Sequence, residues 1–215
     1  MLAMASRHSK LWSNRNWSWP DEDIHCWKHL HKHGPRIVQD ITGLLPTDQR
    51  NLVIQAGGNC GMYPYEYLKR FKKVVTFEPC YRNFKHLIMN NPSARMTAVN
   101  GALGQKSGEF VPIRNSIKNS GATHVTTIPK IATSFAMTFA LDDLGLKPDL
   151  IHLDVEGFEL EVVIGARKLL KEVGPLLVVE IKEANRFLFW EYLREFSYIE
   201  TGVLNNGDYI YEKKR

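Results

Sequence analysis

The sequence predicts an α/β fold: a doubly wound, Rossmann-like, mostly parallel sheet with helices on both faces and a terminal antiparallel hairpin. Three observations carry this. First, five short apolar runs rich in β-branched residues, LVIQA (52–56), VVTF (74–77), MTAV (96–99), LIHLD (150–154) and LLVVEI (176–181), do not alternate polar with apolar. Such strands are buried on both faces, as in parallel sheets. Second, helix-like stretches separate several of them, at Tyr63–Phe71, Tyr81–Met89, Glu159–Lys171 and Glu183–Phe196. Strand and helix in alternation build a sheet covered on both sides. Third, YIETG and DYIYEKK flank Asn205-Asn206-Gly207-Asp208, a turn signal that predicts the closing hairpin.

Ahead of these elements lies an aromatic segment. Four of the five tryptophans, Trp12, Trp17, Trp19 and Trp27, fall within the first 27 residues. Residues 1 to about 20 read as irregular chain that packs its aromatics onto the body or forms a substrate wall. A helix is expected from about Asp21 to His33, after Pro20, with acidic residues in its first turn and Gly34-Pro35 ending it. Residues 1–50 are therefore taken as an N-terminal segment and helix, a possible substrate lid, and 51–215 as the main domain. Within that domain, residues 105–140 break the alternation. They are rich in Ser, Thr and Asn and read as an insertion carrying extra strands.

The chain has 215 residues, 44% hydrophobic and 24% charged, which suits one globular domain with a sizeable core. No stretch approaches the roughly 18 apolar residues of a membrane span. The start, MLAMASRHSKLW, lacks the apolar core of a signal peptide. The three cysteines, Cys26, Cys60 and Cys80, are not a disulfide framework. The expectation is a cytoplasmic protein in a reducing compartment. A net charge of +5 permits a polyanionic partner without demanding one. The basic clusters at Lys69-Arg70-Lys72-Lys73 and Lys213-Lys214-Arg215 read as a solvated face or as a binding patch.

The stretch LVIQAGGNCG (52–61) places three glycines directly after the first main-domain strand. Ligands sit at the carboxyl ends of strands in a doubly wound sheet. There a helix start offers unsatisfied N–H groups, and glycine lets a ligand approach the main chain. A tight turn alone would ask for the same glycines. Glu78 follows the second strand, 21 residues after Gly57. A carboxylate at that spacing is placed to take the hydroxyls of a ribose. A dinucleotide and S-adenosylmethionine both fit. The Gly57-Gly58-x-x-Gly61 spacing departs from G-x-G-x-x-G, and the hairpin argues against a plain dinucleotide fold.

Taken in order, VIQAGGNCG (53–61), VVTFEP (74–79), VNGALGQKSGE (99–109), LDDLGL (141–146), DLIHLDVEGFELEVVIGARKLL (149–170) and PLLVVEI (175–181) resemble the FkbM family of S-adenosylmethionine-dependent methyltransferases. The run LDVEGFE followed by Gly165-Ala166 is the most specific piece. The resemblance implies a class I methyltransferase sheet and S-adenosyl-L-methionine as cofactor. It implies methyl transfer to a hydroxyl of a sugar or glycosylated product. It implies a cofactor site at Gln55, Gly57, Gly58, Asn59, Gly61, Glu78, Asn100, Ala102 and Asp154, with Asn100 and Ala102 along the adenine pocket. Gln55 stands where the family usually carries an acidic residue. Residues 1–50 and 110–140 fall outside the resemblance.

Methyl transfer asks for an acceptor oxygen in line with the methyl and a group that shares the hydroxyl proton. Asp154, Glu156 and Glu180, at two strand ends beside the glycine loop, are the catalytic candidates, with Asp154 nearest the methyl. Crowding by like charges would raise a carboxylate toward the range useful for a base. Glu156 could instead be a helix N-terminal carboxylate. Glu159 and Glu161 read as helix surface. His25, His29 and His33 share one helix face, but no further ligand is obviously recruited. No metal is expected, and that face is taken as solvent-facing.

The partner expected is a small-molecule or glycan acceptor; nucleic acid is the lesser possibility. A ribose 2′-O-methyltransferase acting on RNA is the second reading, with a lysine of the first helix (Lys28 or Lys32), Asp154, Lys182 and Glu212 in order. A third has the domain bind S-adenosylmethionine without catalysis.

Overall fold

The computed structural model describes residues 10–12, 15–23, 25–204 and 207–214. The first described elements are a short antiparallel pair, β1 (Lys10–Trp12) and β2 (Arg15–Trp17), where irregular chain was expected. Helix α1 spans His25–Gly43. The main sheet takes β3 (Leu52–Ala56), β4 (Lys73–Phe77), β5 (Met96–Val99), β10 (Leu150–Leu153), β11 (Leu176–Glu180), β12 (Tyr198–Leu204) and β13 (Asp208–Lys213). Its order is β12-β13-β11-β10-β3-β4-β5. The five strands read from sequence pair in parallel. The terminal hairpin adds antiparallel strands at one edge, with β13 inserted between β11 and β12. Its turn residues Asn205 and Asn206 lie outside the described residues. The insertion forms a second sheet, β6-β9-β7-β8, from β6 (Ala102–Leu103), β7 (Phe110–Arg114), β8 (His124–Val125) and β9 (Ser134–Phe139).

Helices α2 (Met62–Leu68), α3 (Tyr81–Asn90), α4 (Glu159–Ile164), α5 (Arg167–Glu172) and α6 (Glu183–Arg194) complete the fold. Two apolar cores lie on opposite faces of the main sheet. One joins Trp17, Trp19, Leu30, Val38 and Ile41 to Val53, Tyr67 and Val178. The other joins Ile54, Ile151 and Val179 to Val162, Leu170 and Phe189. The aromatic N-terminal segment is thus part of the core. Burying one large apolar side chain contributes on the order of 1.5–3 kcal/mol.

Two helices depart from expectation. Helix α1 starts later than Asp21 and runs through Gly34-Pro35 to Gly43. Proline removes one ladder bond and glycine disfavours helix. Here the buried stripe Leu30, Ile37, Val38 and Ile41 repeats at helical spacing across the interruption, so packing overrides both. The stretch 159–171 is two helices, not one. At Gly165 the backbone comes so close to the Gly104 carbonyl that a side chain would collide with it. The second helix then restarts on Asp142, whose carboxylate accepts from the N–H groups of Lys168 (2.9 Å) and Leu169 (2.8 Å). Among the described residues no helix is long and apolar enough to cross a membrane. Cys26, Cys60 and Cys80 are buried and free.

Candidate active site

The carboxyl ends of β3, β4, β10 and β11 open onto a cavity of about 360 Å³. Gly57, Gly58 and Asn59 form one wall, Glu78 another, and Asp154, Glu156 and Glu180 a third. Helix α1 (His25, Cys26, His29) and the insertion (Asn119 to Gly121, Thr123) cover it. The strand ends therefore bring together most of the expected site residues, as this architecture dictates.

The glycine loop is built differently from the expectation of free N–H groups. Gly57 and Gly58 both donate to the Phe77 carbonyl (3.1 and 2.8 Å). Asn59 N donates to Glu78 Oε2 (2.7 Å), Cys60 N to Asn59 Oδ1 (2.6 Å) and Gly61 N to the Gly58 carbonyl (2.8 Å). Every N–H from 57 to 61 is satisfied internally. The glycines are required by neighbours in the protein. A Cβ at Gly57 (φ +85°) would overlap the Asp154 carbonyl, and one at Gly61 (φ +94°) the Asn91 side chain. One at Gly58 would crowd Leu87 and Thr76. The tight-turn reading thus accounts for all three, and Gly57 and Gly58 also border the main cavity.

Gln55 is fully buried and lies outside the cavity. Its amide nitrogen donates to the Ala56 and Gly57 carbonyls (both 3.0 Å), and its oxygen accepts from Thr76 Oγ1 (2.7 Å). It fixes the loop from behind. A carboxylate here would face two carbonyl oxygens, so the amide suits this environment. Asn100 is exposed and donates to the Glu78 (2.8 Å) and Pro79 (3.3 Å) carbonyls, tying two strand ends together outside the cavities.

Glu78 is 4% exposed and borders two cavities, the main one and a smaller one of about 40 Å³. One oxygen accepts from Asn59 N and the other from Cys80 N (2.8 Å). Lone pairs remain for further donors. Burial pushes its carboxyl up to about 7 against those hydrogen bonds. Ala102, Phe77, Val155 and Phe158 line the smaller cavity. This space is small for a purine, and Thr123 to Val125 of the insertion border it.

The acidic wall is crowded. Burial first, then Glu180, Glu156, Asp208 and Glu159, raise the Asp154 carboxyl well above the usual range. Burial and the same kind of neighbours, Asp208 first, raise Glu180 to about 7. Glu156 sits in the left-handed region (φ +57°), a strained conformation for a non-glycine residue, and pairs with Lys182 at 3.4 Å. Its turn explains why it faces the cavity instead of starting the helix. Glu159, expected on the surface, is 2% exposed and accepts from Gly157 N at 2.7 Å, holding that turn.

Sequence reasoning missed the residues that roof the site. Asp23 is buried and accepts from Trp19 Nε1 (3.1 Å), Cys26 N (3.1 Å), Ser120 N (2.9 Å) and Ser120 Oγ. It fastens the aromatic segment, α1 and the insertion together. Asp23 was read only as one of the acidic residues in the helix's first turn; nothing in the sequence points to Ser120, 97 residues away. Ser120 Oγ also lies 3.0 Å from Asn59 Oδ1. The histidine face is solvent-facing as expected, and it also borders the cavities. His25 and His29 line the main one. Among the described residues no group of three or more His, Cys, Asp or Glu side chains is arranged to hold a metal ion. The lysine–carboxylate set of the RNA reading is not assembled. Glu180 is level with Asp208, so Glu212 lies four residues along β13 toward the opposite edge, bonded to Thr201 (3.2 Å).

Comparison with known proteins agrees with this architecture. A methyltransferase FkbM from Methylobacillus flagellatus shares 18% identity at a TM-score of 0.56, over 85% of this chain and 51% of its own. The chain thus spans about half the length of that relative. A ribosomal protein L11 methylase from Lactobacillus delbrueckii subsp. bulgaricus shares 13% identity at 0.50, over 85% and 80% of the two chains. Magnesium protoporphyrin IX methyltransferase from Synechocystis, with bound S-adenosylmethionine, shares 11% at 0.50, over 88% and 84%. These likenesses show the fold. No curated protein matches the chain. The profile of the methyltransferase FkbM domain matches residues 56–209, well over half of the sequence; the chain belongs to the FkbM methyltransferase domain family.

Proposed function

We propose that this chain transfers a methyl group from S-adenosylmethionine to a hydroxyl of a sugar or glycosylated product. The observation that carries the reading is the acidic wall, Asp154, Glu156 and Glu180, facing the glycine loop and Glu78 across one cavity. When bound, the cofactor supplies an electrophilic methyl on a cationic sulfonium. A wall of carboxylates favours such a cation and matches the hydroxyl donors of a sugar. Glu78 would hold the ribose hydroxyls with its remaining lone pairs, and Gly57, Gly58 and Asn59 would bound the methionine part. Ala102 would line the adenine side once Thr123 to Val125 move aside. Asp154 would orient the acceptor hydroxyl, with Glu156 and Glu180 behind it. The roof of α1 and the insertion would exclude water.

The same wall disfavours RNA. A phosphate backbone entering between Asp154, Glu156, Glu180 and Asp208 meets like charge, and Glu212 is too far along β13 to complete a lysine–carboxylate set. Two measurements test the proposal. Calorimetric titration with S-adenosylhomocysteine should show binding; its absence would leave only an empty scaffold. Methyl transfer from labelled cofactor should go to glycan pools and not RNA pools. The reverse preference would overturn the sugar assignment.

A further inference from the structure

A second cavity, of about 410 Å³, lies between α1 and the hairpin edge of the sheet. Its lining includes His29, His33, Ile37, Tyr63, Glu180 and Asp208. Three of these, His29, Tyr63 and Glu180, also line the main cavity. The two spaces therefore adjoin at those three side chains.

We propose that this second cavity is the acceptor cleft, that it takes a pyranose-like polyol, and that His29 receives the proton of the hydroxyl being methylated. The proposal rests on the methyltransferase reading above. Glu180 and Asp208 are register partners on adjacent strands. Side chains opposed in this way stand about 5 Å apart at Cβ, a spacing suited to neighbouring hydroxyls of one ring. Ile37 and the Tyr63 ring give the apolar surface against which a sugar face packs.

His29 is the side chain at the junction suited to take a proton. Burial and like-charged neighbours raise the Asp154 carboxyl well above its ordinary range and Glu180 to about 7, so both also serve as hydrogen-bond partners for an acceptor hydroxyl. The Tyr63 hydroxyl is pushed well above its ordinary value by burial and by Asp154, Asp208 and Glu180. His29 moves the other way. Partial burial and the neighbouring His33 ring hold its imidazole below the ordinary value, which favours the form that can accept a proton. Glu180, Glu156 and Asp154, which share its cavities, favour the imidazolium once formed. In the step, the acceptor oxygen forms a bond to the methyl carbon. The carbon–sulfur bond breaks with its electron pair on sulfur, and the hydroxyl proton passes to the His29 imidazole. The His33 ring, 5.1 Å from that of His29 and exposed, offers the way out to solvent.

Imidazole NMR tests this without needing turnover. S-adenosylhomocysteine should shift the His29 resonances and leave His33 nearly still. D-glucose, D-galactose and L-rhamnose, added singly at high millimolar concentration to that complex, should include at least one sugar that shifts both. If S-adenosylhomocysteine does not bind, the methyltransferase reading itself fails. If it binds and none of the three sugars moves His29 or His33, the acceptor cleft is wrong while the donor site stands. His29→Gln should keep S-adenosylhomocysteine affinity within about twofold and lose at least a hundredfold in methyl transfer to the responding sugar. It should also lose the acid limb of the pH–rate profile. Turnover with an unchanged profile in His29→Gln overturns the assignment of the base.

Discussion

The main-chain carbonyl of Asp154 occupies the space that a β-carbon on Gly57 would need. The glycine loop and the principal catalytic candidate are thus one packed unit, joined also by the bond from Asp154 N to the Ala56 carbonyl (3.1 Å). Gly57 is at φ +85°, where an L-residue costs about 1–2 kcal/mol before any collision. Gly57→Ala should unfold the domain or lower its melting temperature by well over ten degrees. Gly145→Ala is the control. It also has positive φ (+63°) but nothing within 4 Å of the added carbon, and should cost only about 1 kcal/mol. Equal melting temperatures for the two variants would mean that the collision at Gly57 is relieved by a cheap shift of the loop.

Glu78 gives a pH signature. Its folded-state carboxyl is raised to about 7 from an ordinary 4.5, so the folded protein binds more protons than the unfolded chain between those values. Stability from this group is fully present below about 4.5 and is lost as pH rises through 7. Glu78→Gln cannot titrate. The difference in unfolding free energy between variant and wild type should therefore move in the variant's favour by up to about 3 kcal/mol from pH 4.5 to 7. The same variant removes a charged acceptor for the ribose and should weaken S-adenosylhomocysteine at least tenfold. A flat difference across that range would place Glu78 in a wetter environment than the structure gives it.

Asp23 governs the roof. Its carboxylate joins Trp19, Cys26 and Ser120, three segments distant in sequence. Asp23→Ala leaves buried donors without that acceptor, at about 1–3 kcal/mol each. The expected result is a lower melting temperature and faster limited proteolysis within residues 116–123. Undiminished protection of that loop would show that packing alone holds it.

How far the sequence carried the reading follows from the range of the forces involved. Strands such as LVVE and LIHL announce themselves because burial on both faces is a local, compositional demand. The position of Glu78 beyond β4 was legible for the same reason. What stayed illegible was whatever depended on a distant partner. The glycines could be read as a turn or as a ligand contact because Asp154, Leu87 and Asn91, which crowd them, are remote in sequence. Helix α1 was ended at Gly34-Pro35 because local propensity is visible and the buried face of Ile37 and Ile41 is not. The break at Gly165 needed the Gly104 carbonyl, and the Asp23–Ser120 link spans 97 residues. His25, His29 and His33 were read as a face turned to solvent and are exposed, but nothing in their spacing says that α1 also lies along the rim of the cavity.

Asp154 carries the last prediction, which sets stability against function at one atom. Its carboxyl is surrounded by Glu180, Glu156, Asp208 and Glu159 and is raised well above its ordinary value, with burial as the largest cause. Such a group costs stability whenever it ionises, so the cost grows as pH rises past the ordinary aspartate range. Asp154→Asn keeps the shape and removes the charge. Its melting temperature at pH 7 to 8 should therefore exceed that of the wild type. Function should move the other way. The wall loses part of its attraction for a cation, so affinity for S-adenosylmethionine should fall by about tenfold more than affinity for the uncharged thioether of S-adenosylhomocysteine. Binding of the cation to the wild type should also release a proton, seen as a buffer-dependent heat, and the variant should release less. Turnover should fall by about a hundredfold or more as the acceptor hydroxyl loses its alignment. A variant that is stabilised, binds both ligands as before and turns over normally would move the role to Glu156 or Glu180, to be settled by Glu156→Gln and Glu180→Gln. If all three variants keep full activity, the chemistry does not take place at this strand edge.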